Sequence, residues 1–130
     1  MSYSVLLRGK YIVAALTRVS GVRTTDCPAV DFLAAMANQK QYAASSRGYK
    51  AMFQRYADFG RQGFNGNLLH EVNKNESIYE FIRGDLRVLC FFDNGAAMLT
   101  NGYLKKSKTA DPQIVQVAIN AKKMYFNKRK

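Results

Sequence analysis

Two tight turns in close succession constrain this chain more than any other feature. Gly84-Asp85 and Asn94-Gly95 each stand between runs rich in apolar and β-branched residues. Gly-X suits a type II′ turn and Asn-Gly a type I′ turn, the two-residue loops that join antiparallel strands. Residues 77–83, 86–93 and 96–104 are therefore expected to form a three-stranded antiparallel meander. Loops this short also set a register: Ile82 opposite Arg87, Glu80 opposite Leu89, Leu89 opposite Thr100 and Arg87 opposite Gly102. One face then carries Ile78, Glu80, Ile82, Arg87, Leu89, Phe91, Met98, Thr100 and Gly102. The other carries Tyr79, Phe81, Leu86, Val88, Cys90, Phe92, Leu99, Asn101 and Tyr103. The second set is the more apolar and aromatic, so it is expected to pack on helices. The first is expected to present the Glu80–Arg87 pair and a bare Gly102.

Helical periodicity lies on both sides of the meander. A helix is predicted to start near Asp26-Cys27-Pro28, with proline in the first turn, Asp31 at the positive dipole end, and Val30, Leu33, Met36 and Ala37 as its stripe. Residues 45–48 are read as a break. Tyr49, Met52, Phe53, Tyr56 and Ala57 follow the i, i+3, i+4, i+7, i+8 rule, and Gly60 stands where a left-handed cap belongs. Lys50, Arg55 and Arg61 lie off that stripe. Asp111 and Pro112 are a good N-cap and first residue for a last helix whose stripe is Ile114, Val117, Ala118, Ala121 and Tyr125. Residues 11–19 read as a strand and 20–25 as a polar connection, while 1–10 fit a strand, an arm or disorder. The expected organisation is one domain over 1–130, with an N-terminal strand region at 1–25, a helical hairpin at 27–60, the meander at 77–104 and a C-terminal helix at 111–127. This is an α+β fold in which a small antiparallel sheet, the N-terminal strand plus the meander, packs on the helical hairpin.

Charge narrows the function. Twenty Lys and Arg against nine Asp and Glu give a net charge of +11, a field that favours a polyanion such as nucleic acid. From position 103 to the end there are eight basic residues and one acid, Asp111; cations at the end of the last helix also suit its dipole. Cys27 and Cys90 lie far apart with no metal-ligand spacing, and Cys90 sits within an apolar run, so neither zinc nor a disulfide is expected and a reducing cytoplasm is the default. The first residues lack the layout of a signal peptide, and the apolar runs are too short to span a bilayer.

The run from Ile78 to Phe92, IYEFIRGDLRVLCFF, resembles the core of the RelE-superfamily toxins and is closest to their phage-derived HigB-type branch. The segment LTNGYLKKSKT at 99–109, followed by Pro112 and Ile114, is similar to that branch's Gly-aromatic, Lys-Lys, Pro and Ile-helix ending. The likeness is specific over about 78–119. It implies a bacterial type II toxin that cleaves mRNA, usually on the ribosome, and is silenced by a helix-turn-helix antitoxin encoded beside it. Many relatives carry His where Asn101 stands; the only histidine here is His70.

Cofactor-free RNA cleavage needs a base for the 2′-OH, cations for the phosphate and an acid for the leaving oxygen. Arg87 is the candidate for phosphate stabilisation, since its planar fork matches two phosphate oxygens, or else it pairs with Glu80. Lys105 and Lys106, as adjacent cations, are candidates for a proton-transfer group or for phosphate contacts. Glu80 is an alternative general base or a cross-strand ion-pair partner. Arg83, Lys108, Arg61 and Lys50 are candidate RNA contacts. Tyr103 and Tyr125 fit either base stacking or a core stripe, and His70 either proton transfer or a structural role. Two other functions stay open at this point: a non-catalytic nucleic-acid or partner-binding module, and gyrase poisoning of the kind the ParE cousins perform.

Overall fold

The computed structural model describes residues 2–20, 22, 27–106 and 108–129, the Arg129 side chain aside. The expected helix-start residue Asp26, positions 23–25 of the polar connection, Ser107 and Lys130 lie outside them. The chain runs β1 (Tyr3–Arg8), β2 (Ile12–Leu16), α1 (Pro28–Ala37), α2 (Ala43–Phe59), a 3-10 turn (Gly60–Gly63), β3 (Leu69–Asn73), β4 (Ile78–Arg83), β5 (Leu86–Asp93), β6 (Ala96–Leu104) and α3 (Pro112–Arg129). The six strands form one sheet in the order β1-β2-β6-β5-β4-β3.

The meander is present with both turns. Gly84 alone has positive φ in the first turn, 57°, whereas Asn94 and Gly95 are both positive, at 51° and 85°, as types II′ and I′ require. Around it the sheet is wider than expected and mixed. β2 pairs with β6 in parallel, and β1 adds an antiparallel edge from the segment that the sequence left unassigned. β3 extends the other edge through Leu69 to Asn73. The sequence LHEVN has no alternation to announce it; the β4 ladder makes it a strand.

The β4–β5 register is the expected one, with Ile82 opposite Arg87 and Glu80 opposite Leu89. The β5–β6 register is the expected one from Asp93 and Ala96 back to Cys90 and Leu99, and then it shifts. Cys90 faces Leu99, but two residues further back Val88 faces Gly102, so Thr100 and Asn101 both stand against Leu89 in a β-bulge. Thr100 Oγ1 donates to Asn101 Oδ1 at 2.7 Å, and Asn101 Nδ2 donates to the Ile114 carbonyl at 3.3 Å. Beyond the bulge the faces exchange. Tyr103, rather than Gly102, stands opposite Arg87, and Gly102 turns toward the α1–α2 layer.

Both faces are covered. Val13, Phe81, Val88, Cys90 and Leu99 pack on Met36, Tyr49, Met52, Phe53 and Tyr56 of the hairpin. Leu89, Phe91 and Met98 pack on Val115, Ala118, Ile119 and Tyr125 of α3. The face expected to present Glu80 and Arg87 is therefore a second core, and the fold has three layers. Residues 45–48 do not break the helix either. They lie inside α2, where Ser46 Oγ donates to the Leu33 carbonyl at 2.5 Å and the Arg83 guanidinium lies over Gly48. Asp111 caps α3 through a 2.8 Å bond from Gln113 N. No helix among the described residues is long and apolar enough to cross a membrane.

Two outcomes test this packing. At Gly102 a Cβ would overlap the Phe32 ring, so Gly102→Ala is expected to lower stability by about 1–3 kcal/mol, read as a fall in urea midpoint, with Phe32→Leu restoring part of it. Burial pushes Tyr49, Tyr56, Tyr103 and Cys90 above their ordinary values of 10.0 for the phenols and 9.0 for the thiol. Folded chains hold these protons where unfolded chains release them, so stability is retained below pH 9 and falls as pH rises beyond it. Urea midpoints from pH 8 to 11 should show that fall. Tyr49→Phe should make it shallower while lowering neutral-pH stability by about 1 kcal/mol, since the hydroxyl lies 2.9 Å from both the Phe81 and Leu86 carbonyls.

Candidate functional site

Four strands each contribute one polar residue to the α3 side of the sheet near the β4–β5 turn. His70 on β3 stands directly opposite Glu80 on β4, and Arg87 on β5 directly opposite Tyr103 on β6. Glu80 is 2% exposed, Arg87 7% and Tyr103 8%, whereas the His70 side chain is 37% exposed. A carboxylate this deep is stable only if its oxygens are bonded and its charge answered. Tyr103 donates its hydroxyl to Glu80 Oε2 at 2.7 Å. His70 Nε2 and Arg87 Nε lie 3.3 and 3.6 Å from Oε1. The Arg87 fork is used internally, Nη1 donating to the Gly84 and Leu86 carbonyls at 2.6 and 3.0 Å. Burial, reinforced by the bond to Glu80, raises the Tyr103 phenol above its usual range, which keeps it a donor.

His70 is the most exposed member of this network. It opens with Glu80 onto a cavity of about 510 Å³ bordered by Lys105 and Lys108 and walled by Pro112 and Val115 of α3. Lys105 continues the β6 ladder, its N–H bonded to the Asp85 carbonyl at 2.8 Å. Lys106, one residue on, borders a different cavity of about 390 Å³ with Phe32, Leu104 and Ile114.

The expected site is thus partly assembled and partly dispersed. Glu80, Lys105 and Lys108 come together. Lys106 does not join Lys105, because successive residues of an extended chain point to opposite sides. Arg87 is not an open phosphate clamp; it is a buried counter-charge to Glu80. Tyr103 is turned by the bulge toward Glu80, and it also borders the second cavity beside Phe32 and Leu104. Arg61 is engaged at the far side of the sheet, its guanidinium 4.6 Å from both the Tyr79 and Phe92 rings and Nη2 donating to Tyr79 Oη at 2.6 Å. Arg83 lies over Gly48, and Lys50 is exposed on α2; neither borders the cavity. Tyr125 is buried against Phe91 and donates to Asp93 at 2.7 Å. His70 joins Glu80, Lys105 and Lys108 at the cavity, and the signal for it in the sequence was its being the chain's sole histidine. No protein-family model and no curated protein sequence matches this chain.

The cavity sets an imidazole among two carboxylates, Glu71 and Glu80, and two lysines, Lys105 and Lys108. Nε2 of His70 faces Glu80 Oε1 at 3.3 Å, and the two lysines border the cavity on which the ring opens. If the Glu80–Arg87 contact supports this network, Glu80→Gln should destabilise the protein by about 3 kcal/mol, because it strands Arg87 in the core. The double variant Glu80→Gln, Arg87→Met should recover much of that loss in a double-mutant cycle by chemical denaturation.

Proposed function

We propose that this protein is an endoribonuclease toxin that cuts mRNA without a metal, and that the cut is made in the cavity shared by His70, Lys105 and Lys108. The observation that carries the reading is the placement of His70: an imidazole backed by a buried carboxylate, at the mouth of a lysine-bordered cavity, in a chain of net charge +11. Such a chain concentrates polyanions at its surface, and the cavity offers the acid–base and cationic groups that transesterification of a ribose phosphate needs. His70 Nδ1 takes the 2′-OH proton as the 2′-oxygen attacks phosphorus. Lys105 and Lys108 offset the charge that grows on the phosphoryl oxygens. The P–O5′ bond breaks, and the departing oxygen takes a proton from the Lys105 ammonium. The products are a 2′,3′-cyclic phosphate and a 5′-OH. Glu80 orients the imidazole, and Arg87 and Tyr103 hold Glu80, so these three are positioning residues.

The resemblance of residues 78–119 to the HigB-type branch of the RelE superfamily supports the same reading, as does the meander between two helical layers. On that basis the substrate is mRNA on the ribosome, the compartment is the bacterial cytoplasm, and an adjacently encoded helix-turn-helix antitoxin silences the activity. The burial of Arg87 and Tyr103 favours one competing reading, a binding module on the same scaffold that grips RNA without cutting it.

Purified protein added to translating ribosomes, followed by sequencing of RNA ends, separates the two. Discrete new 5′-OH ends are expected. His70→Ala should reduce cutting by about a hundredfold or more in protein that is still folded, with a urea midpoint lowered by the loss of a Glu80 partner. Lys105→Ala with Lys108→Ala should weaken RNA binding and flatten its salt dependence. Intact transcripts at full RNA binding would leave only the binding module. Unimpaired cutting by His70→Ala would remove the site assignment.

A further inference from the structure

The cavity beside the proposed cleavage site has a different character. Its walls are Phe32 of α1, Leu104 of β6 and Ile114 of α3, and its polar groups include Lys106 and Asp111. Thr109 borders this cavity and the His70 cavity alike, so that residue is the divide between them. Lys105 and Lys108 stand on one side of that divide and Lys106 on the other. A backbone laid against the lysines would carry its neighbouring unit across it. The half-buried Phe32 ring is held against Gly102, and the bulge in β6 is what turns that glycine toward it.

From this continuity we propose that the Phe32–Leu104–Ile114 cavity is a nucleobase subsite for single-stranded RNA, seating the base next to the phosphate held by Lys105 and Lys108. It rests on the RNA reading above and adds a preference to it. A volume of about 390 Å³ with apolar walls suits a flat aromatic ring. Asp111 sets the choice. One of its carboxylate oxygens accepts from Gln113 N as the α3 cap, and a carboxylate has a second oxygen that can only accept. Bases with an exocyclic amino group, adenine, cytosine and guanine, can donate to it. Uracil has only its N3–H to donate, and the carbonyl oxygens on either side of it are repelled by the carboxylate, so its bond is the weaker one. The subsite therefore selects amino-bearing bases over uracil.

The test is binding, with the strand protected from cutting. Fluorescent 2′-O-methyl hexamers of A, C and U are titrated into the protein and followed by anisotropy. Wild-type protein should bind the A and C hexamers about tenfold more tightly than U. Asp111→Asn retains an N-cap side chain, so the helix start is kept, but the amide also donates. The variant should lose most of the discrimination, chiefly by binding U better. Lys105→Ala with Lys108→Ala should weaken all three equally and leave the ratio alone. Equal affinity for the three hexamers, or a ratio unmoved by Asp111→Asn, would overturn the subsite while leaving the RNA reading in place. Failure to bind any hexamer at low salt would overturn the RNA reading and the subsite with it.

Discussion

The Glu80 carboxylate is the point on which the α3 half of this molecule depends. A charge buried to 2% exposure must be met by donors and by an opposite charge, and no single strand can provide both. Tyr103 comes from β6, Arg87 from β5 and His70 from β3, so the polar network ties neighbouring strands together at one end of the sheet. Three of the four groups are buried and the fourth reaches solvent. A buried ion pair and a partly exposed imidazole are thus parts of one network. The buried pair holds its position, and the exposed ring inherits it.

The bulge at Thr100 and Asn101 decides which residues take part. One extra residue in β6 exchanges the faces of everything after it. Tyr103 is thereby delivered to Glu80, and Gly102 to Phe32, where a bare backbone lets α1 approach closely. Without it Tyr103 would lie in the hairpin core and Glu80 would lack its phenol donor. The same shift sets where Lys105 and Lys106 emerge, on either side of the connection to α3.

The candidate site was legible only in fragments. Glu80 and Arg87 were recognisable as a charge pair on one sheet face, since the turn between their strands permits one register. Their burial was not, because α3 covers that face, and the stripe of an amphipathic helix does not name the surface it will meet. Lys105 and Lys108 could be read as a basic segment; their convergence on His70 could not. His70 lies on β3, whose residues show no strand pattern and which exists because β4 offers an unpaired edge.

What the amino-acid sequence determined by itself is local: the two tight turns, whose residues admit the required positive φ angles; the β4–β5 register; the α2 stripe; and the Asp111 cap on α3. Each depends on neighbours a few positions away, so the chemistry is written within the segment. Tertiary structure alone decided the parallel β2–β6 pairing, the two edge strands, the bulge and the closing of both faces. Those follow from which hydrogen-bonding edges and apolar surfaces find each other across the chain. That long-range match brought the lone histidine to the buried carboxylate.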